Sequence, residues 1–333
     1  MRRRQLAVFD ASNAFPPDPS GGRSVYPGAD AQGKPATNNT SRVASNRHAR
    51  YRHRMDRLLV TLARLVGAAV GAFAGVIAVQ LMRMRRMQFL PGWPGFWINH
   101  VVHPGDGATA GPRLRMAILG DSTTVGVGVA QAEHALPHLL AQRIADAEAR
   151  DVHVVSYGWA GARVSDLARS QLPRALQPLR ATETEPFLPG ADIVAVVIGA
   201  NDATHNTPPG RFRDDLRATL EGIRRAAPTA RVVLAGIPAF RGALPALEPL
   251  IFLADQYARL LRPIGRAEAA RIGAAYGDLQ SGVPRLIVGR QDVLSSDNFH
   301  PSVIGYDAWA EVIFRALQSP AGGTQASMEA KGA

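Results

Sequence analysis

The sequence has no cysteine among its 333 residues. This absence excludes disulfide bonds, a thiolate nucleophile and cysteine-ligated zinc as sources of stability or chemistry. It leaves the cellular compartment open, because a domain with a sufficiently large core is stable outside the cytoplasm without disulfides. A chain of this length can hold one large core with appendages, or two small domains.

Most of the chain also lacks an excess of positive charge, although the formal net charge is +11. Residues 1–86 contain 15 Lys and Arg against 4 Asp and Glu, and the difference of 15 − 4 = 11 accounts for the whole excess. Residues 87–333 contain 23 charged residues of each sign. Because a phosphate backbone is bound through clustered Lys and Arg, we predict that the main domain does not bind nucleic acid.

The N-terminal region divides into a polar part and an apolar part. Residues 1–54 are rich in Pro, Gly, Ser, Asn and Arg and have no hydrophobic period, which predicts a disordered basic segment. From Leu65 to Met82, Gln80 is the only strongly polar residue. As a helix this stretch would span about 27 Å, close to the hydrocarbon thickness of a bilayer. With the apolar residues before it, the stretch predicts a transmembrane helix or signal anchor over residues 58–82.

The apolar segment has two other interpretations. A buried core helix is one, but arginines rarely flank such a helix at both ends. A cleaved signal peptide is the other, since Ala72-Phe73-Ala74 resembles a cleavage site, but the apolar run continues beyond it. Residues 45–64 contain six arginines and residues 83–102 contain three. This bias predicts a cytoplasmic N-terminus and a main domain on the extracytoplasmic side.

The remaining chain is predicted to form one α/β domain. Residues 83–112 form a predicted juxtamembrane linker, and residues 319–333 a disordered tail. Residues 113–318 alternate apolar strands with helical stretches, which predicts a three-layer α/β/α doubly wound parallel sheet. The predicted strands are 113–119, 152–156, 192–198, 231–236 and 274–278, and the predicted helices are 131–149, 163–178, 211–227, 248–272 and 303–318.

A candidate nucleophile ends the first predicted strand, in the sequence Gly120-Asp121-Ser122. Open α/β sheets bind ligands at this carboxyl edge. A nucleophilic serine needs a base held in one tautomer, and Asp297 lies three residues before His300, close enough for its carboxylate to contact the imidazole Nδ1. On their own these residues have a plainer explanation, because serine and aspartate also cap helices.

Candidate hydrogen-bond donors for an oxyanion follow the next two strands. Asn201 offers its side-chain amide, Gly161 offers a backbone N–H, and the N–H of Ser122 is a third donor. The plainer explanations are that the glycine satisfies a turn and that the asparagine caps the next segment. Because consecutive parallel strands end at one edge of a sheet, we expect these groups to converge.

Together these motifs resemble the four blocks of the SGNH, or GDSL, hydrolase superfamily, which contribute Ser, Gly, Asn and His. The resemblance covers residues 113–318 and implies a flavodoxin-like strand order, 2-1-3-4-5. The blocks read Gly120-Asp121-Ser122-Thr123-Thr124-Val125-Gly126, Gly158-Trp159-Ala160-Gly161-Ala162, Gly199-Ala200-Asn201-Asp202 and Asp297-Asn298-Phe299-His300-Pro301-Ser302-Val303-Ile304-Gly305-Tyr306.

The resemblance also implies roles. Ser122 would be the nucleophile, His300 the base and Asp297 its partner, and Ser122, Gly161 and Asn201 would form the oxyanion hole. In the second block Ser156 stands where many members have Asn, and Gly158 is an alternative to Gly161. The implied protein is a serine esterase or lipase that acts on acyl esters of lipids, glycans or small molecules, with no cofactor and no metal.

Other functions remain open on the sequence. An acyltransferase or thioesterase would use the same residues, and a catalytically silent, membrane-tethered binding module is an alternative of another class. His134 and His138 have a spacing that can bind a metal, but a solvated helix face is the simpler interpretation. Ser122 lacks a Gly-x-Ser-x-Gly elbow, which argues against the α/β-hydrolase fold.

Overall fold

The computed structural model describes residues 39–86, 95–107, 109–180, 182, 184–240 and 248–319. The chain divides into two units, residues 1–68 and 69–333. The predictions of disorder for residues 1–38 and 320–333 lie outside the described residues, as does the part of the predicted linker at residues 87–94.

The first helix, α1 (Asn39–Arg86), contains the predicted transmembrane segment. Its stretch Arg50–Gln80 is long and apolar enough to cross a bilayer. The prediction that residues 1–54 are disordered is wrong for residues 39–54, which continue the helix toward the N-terminus. The physical reason is composition: no glycine or proline interrupts the chain between Pro35 and Gly67, so the helix propagates through the arginine-rich stretch.

The second unit is built on a six-stranded sheet in the order β1-β3-β2-β4-β5-β6. Strands β2 to β6 are parallel, and in chain order they have the predicted arrangement 2-1-3-4-5, so the predicted fold class is confirmed. The strands are β1 (Asn99–Val102), β2 (Leu114–Gly120), β3 (Val152–Ser156), β4 (Ile193–Val197), β5 (Arg231–Ala235) and β6 (Ala275–Gly277).

The edge strand β1 was not predicted, since it lies within residues 83–112, which the sequence indicated as a linker. It pairs antiparallel with β3, from Asn99 opposite Val155 to Val102 opposite Val152. A strand of four residues that begins Asn-His is too short and too polar to give a recognisable pattern. Its pairing depends on a partner strand about fifty residues further along the chain.

Helices cover both faces of the sheet, and alternate residues of each central strand face opposite cores. In β2, Ala117 and Leu119 belong to one core, and Met116 and Ile118 belong to the other. Helices α3 to α7 pack on the first core, and α2, α8 and α9 pack on the second. They are α2 (Leu136–Glu148), α3 (Val164–Asp166), α4 (Leu172–Ala175), α5 (Ala200–Thr204), α6 (Pro209–Ala226), α7 (Leu250–Arg271), α8 (Leu279–Leu286) and α9 (Val303–Gln318).

Two of these helices, α5 and α8, were also missed by the sequence prediction. Helix α5 has only five residues, and α8 contains a glycine and a proline within eight residues. Both lie at the carboxyl edge of the sheet and contribute residues to the site described below. Short helices of this kind are stabilised by the tertiary contacts around them more than by their own propensity.

Candidate active site

The candidate nucleophile lies in a tight turn at the end of β2. Ser122 begins a 3₁₀ helix (Ser122–Val125) that Asp121 caps, because its Oδ1 accepts hydrogen bonds from the backbone N–H and the hydroxyl of Thr123, at 3.0 and 2.8 Å. Ser156, at the end of β3, donates its hydroxyl to the Thr124 carbonyl at 2.7 Å. The turn is therefore held from both sides, and its position depends on the neighbouring strand.

A buried glutamine extends this support to Gly120. The Gln171 Oε1 accepts from the Gly120 N–H and the Gln171 Nε2 donates to the Gly120 carbonyl, both at 2.8 Å. Strand β3 pairs with β2 only as far as Ile118, so Gly120 has lost its strand partner on that side. Gln171 ends a π-helical segment, Leu167–Gln171, and replaces the missing strand. Sequence reasoning did not identify it, because no local pattern distinguishes this glutamine from others on a helix.

Replacing Gln171 with leucine should lower the free energy of unfolding by about 3 kcal/mol, because it leaves a buried N–H and a buried carbonyl of Gly120 without partners. Urea unfolding of the full chain in detergent micelles, followed by near-ultraviolet circular dichroism, would measure the loss. The matched control is Gln177→Leu, at an exposed position just after α4. Equal stability of the two variants would contradict the role given to Gln171.

The structure brings the predicted Ser122, His300 and Asp297 together in one hydrogen-bonded chain. The His300 Nε2 lies 2.9 Å from the Ser122 Oγ, and the His300 Nδ1 lies 2.6 Å from the Asp297 Oδ2. All three side chains are largely shielded from solvent. An ionised carboxylate can only accept, so the His300 Nδ1–H donates to Asp297 and the Nε2 is left to accept the hydroxyl proton of Ser122.

Asp297 is suited to remain ionised in this arrangement. Burial raises the pKa of its carboxyl, but hydrogen bonds from His300, the Phe299 N–H and Ser295 outweigh burial, and the pKa lies well below its usual range. Its Oδ1 accepts from the Ser295 hydroxyl at 2.7 Å and from the N–H groups of Phe299 and His300 at 2.8 and 2.9 Å. Ser295 is a further site residue that sequence reasoning did not single out.

The loop that carries Asp297 and His300 is closed on itself. A β-bridge joins Leu294 to Pro301, and the Ser295 N–H donates to the His300 carbonyl at 2.8 Å. The residue that caps α9 is Ser302, whose hydroxyl accepts from the Gly305 N–H. The alternative role considered for Asp297, capping this helix, is therefore taken by Ser302, and the aspartate is directed at the imidazole.

The predicted oxyanion donors follow β2, β3 and β4 at the same edge of the sheet. Ser122 begins its 3₁₀ helix, where a backbone N–H has no intrahelical acceptor. The Gly161 N–H makes no hydrogen bond within the described part of the chain. Asn201 donates one amide hydrogen to the Ala162 carbonyl at 3.0 Å, which fixes the orientation of the amide and leaves the second hydrogen available. Asp202 accepts from the Val164 N–H at 3.0 Å and holds the same loop.

The two glycines that compete in the second block serve different purposes. Gly161 has φ of 82°, the left-handed region, and open space around the position of a Cβ. The φ of Gly158 lies outside the left-handed region, but a Cβ there would overlap the Thr124 hydroxyl and press on the Gly120 backbone. Gly161 is therefore required by its backbone conformation, and Gly158 by the close approach of the nucleophile turn.

This difference predicts an order of stability for two variants. Gly158→Ala should lower the free energy of unfolding by about 3 kcal/mol, because the new methyl group must displace packed atoms of the turn. Gly161→Ala should cost only about 1 kcal/mol, the penalty of a left-handed alanine in open space. Denaturant unfolding of both variants would test this, and a larger loss for Gly161→Ala would contradict it.

A cavity of about 550 Å³ opens beside Ser122 and His300, a volume typical of small-molecule sites. Of the described residues that line it, Asp121 and His300 are the only titratable ones, so the wall suits an uncharged group. Burial raises the pKa of the Asp121 carboxyl. The apolar part of the wall comprises Ala200, Pro238, Ala239, Phe240, Leu279, Val283, Pro284, Ile287, Val293, Leu294, Phe299, Pro301 and Trp309.

One part of this wall is held by a buried ion pair. Arg262 donates to the carbonyls of Ile237 and Pro238 at 3.0 and 2.6 Å and to Asp255 at 2.9 Å, and Asp255 accepts from the Phe240 N–H at 3.2 Å. Burial raises the pKa of Asp255, but its hydrogen bonds outweigh this and keep it below the usual range. The pair thus fixes the segment after β5 that forms one side of the cavity.

His134 and His138, whose spacing could bind a metal, do not form part of a metal-binding group among the described residues. His138 lies against His100 of β1, with 3.0 Å between its Nδ1 and the His100 Nε2. Burial lowers the pKa of both imidazoles, which favours a neutral pair that shares one hydrogen. Within the part of the chain that the structure describes, no three His, Asp or Glu side chains form a group that could hold a metal ion.

The fold is an α/β domain with a hydroxyl–imidazole–carboxylate arrangement at the carboxyl edge of its parallel sheet. The chain belongs to the GDSL-like lipase/acylhydrolase family, whose model matches residues 118–308. It is 27% identical over 210 residues to a GDSL-like esterase of Mycobacterium tuberculosis, and the match covers 62% of this chain and 62% of that protein.

Two solved structures are also similar to this chain. An extracellular lipase from Streptomyces rimosus has 22% identity and a TM-score of 0.47, over 61% of this chain and 99% of the lipase. A lipase/acylhydrolase from Enterococcus faecalis has 22% identity and a TM-score of 0.47, over 62% of this chain and 95% of that protein.

Proposed function

We propose that this protein is a serine esterase that hydrolyses carboxylic esters of lipids, glycans or small molecules. Ser122 acts as the nucleophile, His300 as the general base and Asp297 as its orienting partner. The N–H groups of Ser122 and Gly161 and the amide of Asn201 form the oxyanion hole. The observation that carries the proposal is the continuous hydrogen-bonded chain, with 2.9 Å from the Ser122 Oγ to the His300 Nε2 and 2.6 Å from the His300 Nδ1 to the Asp297 Oδ2.

The reaction follows from this geometry in two steps. The Ser122 Oγ attacks the ester carbonyl carbon while the His300 Nε2 takes the hydroxyl proton, and the carbonyl oxygen becomes an oxyanion. Collapse of this intermediate breaks the bond to the alcohol, which leaves with the proton from the Nε2. Water then attacks the acyl-enzyme by the same route and releases the acid. Each oxyanion donor typically contributes about 10²–10³ in rate.

Two alternative functions remain: one forms the same acyl-enzyme, and the other involves no reaction at Ser122. An acyltransferase or thioesterase would form the same acyl-enzyme, but would differ in the acceptor or the leaving group. A binding module would keep the fold without reacting. The open, largely apolar cavity beside Ser122 favours an enzyme with an uncharged substrate group, because a module that binds only through this site would not need the ionised Asp297 behind the imidazole.

A fluorophosphonate probe tests the nucleophile directly. The full chain should be labelled covalently, and Ser122→Ala should not be labelled. A panel of esters that varies acyl length and includes sugar acetates would then define the substrate, and a comparison of ester with thioester rates would separate esterase from thioesterase. Folded parent protein that neither labels nor hydrolyses any ester would support the binding module instead.

We further propose that α1 anchors the protein in a membrane as a single-pass helix, and that the catalytic domain comprises residues 113–318 together with the edge strand β1. The arginine bias supports a domain on the extracytoplasmic side. Protease added to intact cells should then degrade the domain. Protection until the cells are lysed would reverse the proposed orientation.

A further inference from the structure

An exposed apolar segment lies at the mouth of the cavity. It runs from Pro284 to Arg290, comprises the end of α8 and the turn after it, and is termed here the 284–290 lip. Pro284 and Ile287 of the lip line the cavity. Leu286 and Val288 are 38% and 80% exposed. The lip therefore presents apolar side chains both to the cavity and to solvent.

The position of Val288 follows from the local backbone. Helix α8 ends at Leu286, and Gly289 has φ of 76°, a left-handed turn residue. Val288 therefore stands at the tip of a tight turn, where a polar residue would be expected in water. Single exposed apolar side chains are ordinary on a protein surface. Here two of them are near neighbours and form a small apolar patch on a segment that also lines the cavity.

Basic side chains accompany these apolar ones. Arg285 is exposed and makes no hydrogen bond or ion pair within the described part of the chain. Arg290 forms an exposed ion pair with Asp292 at 3.1 Å, which contributes little in water. Long arginine side chains beside exposed leucine and valine are typical of segments that lie at a lipid–water boundary, with the charge at the phosphates and the stem along the acyl chains.

We propose that the 284–290 lip inserts Leu286 and Val288 into the surface of a phospholipid bilayer, with Arg285 at the headgroup phosphates. The cavity behind the lip then receives the apolar chain of an ester drawn from that bilayer. This second half of the proposal rests on the proposed function. A bilayer is the chosen partner because the same chain carries a helix able to span one, and because two side chains are too small a patch for a stable protein interface.

The lipid contact can be tested without any assay of activity, because the chain has no cysteine and a single Val288→Cys provides a unique labelling site. The full chain, labelled there with nitrobenzoxadiazole, is reconstituted in vesicles of equimolar phosphatidylcholine and phosphatidylglycerol. Leu176→Cys is the matched control, since Leu176 is 41% exposed and follows α4, which leads back toward the amino ends of the strands. The control also measures the fraction of molecules whose domain lies inside the vesicles.

We expect the label at residue 288 to emit at shorter wavelength than the label at residue 176, and dithionite to reduce it at least about tenfold more slowly. Equal reduction rates for the two labels would overturn the proposal. Protection at residue 288 that grows with the protein-to-lipid ratio would also overturn it, because a second copy of the chain would then be the occupant.

Activity gives an independent test. The double variant Leu286→Asp/Val288→Asp should hydrolyse p-nitrophenyl palmitate in these vesicles at least about tenfold more slowly than the parent, and soluble p-nitrophenyl acetate within about twofold of it. Leu176→Asp should change neither rate. Equal loss on both esters, or no loss, would overturn the role of the lip. If the parent hydrolyses neither ester, the proposed function fails, and the labels alone decide the lipid contact.

Discussion

Ser122→Ala should lower kcat/KM for a short-chain aryl ester by a factor on the order of 10⁶, while the protein stays folded. The Ser122 hydroxyl bonds to His300, and the rest of the turn is held by Asp121, Ser156 and Gln171. Removing one oxygen therefore removes the proposed nucleophile and leaves the hydrogen bonds that support its turn intact. Steady-state kinetics of the full chain in micelles, with near-ultraviolet circular dichroism as the check on folding, would measure both.

The control for this variant is Ser296→Ala, an exposed serine in the loop that carries His300. It should hydrolyse the ester at the parent rate, since its side chain is directed to solvent. Hydrolysis by the Ser122→Ala protein within about tenfold of the parent would show that another group attacks the ester.

Asp297→Asn should lower kcat by about 10⁴, because it reverses the tautomer of His300. The amide oxygen of the substituted side chain can keep the three contacts of the present Oδ1, with Ser295 and the N–H groups of Phe299 and His300. The amide nitrogen then replaces Oδ2 and offers hydrogens to the His300 Nδ1. The imidazole proton moves to the Nε2, which can no longer accept the proton of Ser122. The expected signature is a large fall in kcat with little change in KM.

The same variant should change how stability depends on pH. The pKa of Asp297 is lowered in the folded protein, so its carboxylate stabilises the fold above the unfolded pKa of about 3.9 and loses this contribution as pH falls through the folded pKa. The difference in the free energy of unfolding between the parent and Asp297→Asn should therefore be largest at neutral pH and should shrink below about pH 4. Urea unfolding at neutral and acid pH would measure it. Asp214→Asn, at an exposed position on α6, is the control.

The candidate active site and the 284–290 lip both contribute residues to the same cavity. Ser122, the proposed nucleophile, and Pro284 and Ile287 of the lip all line this one cavity. An ester chain that enters past the lip would remain among apolar side chains until its carbonyl reaches Ser122. The buried pair of Arg262 and Asp255 holds the part of the cavity wall formed by the segment after β5.

The elements that the sequence predicted well are those with long local patterns. Strand β3 and helix α9 have the predicted bounds, and the parallel strand order is the predicted one. Elements that depend on distant partners were missed or misplaced. Strand β1 requires the edge of β3, α5 and α8 are too short to show a period, and the helical residues 39–54 were expected to be disordered.

The sequence by itself determined the fold class and the identities of the candidate triad, because hydrophobic periodicity and motif order are local properties of the chain. Only the tertiary structure decided that Gln171 takes over the strand contacts of Gly120, that Gly158 is needed for space and Gly161 for its backbone angle, and that an apolar cavity ends in an exposed lip. These features depend on close packing between segments far apart in the chain, and no local pattern encodes such complementarity.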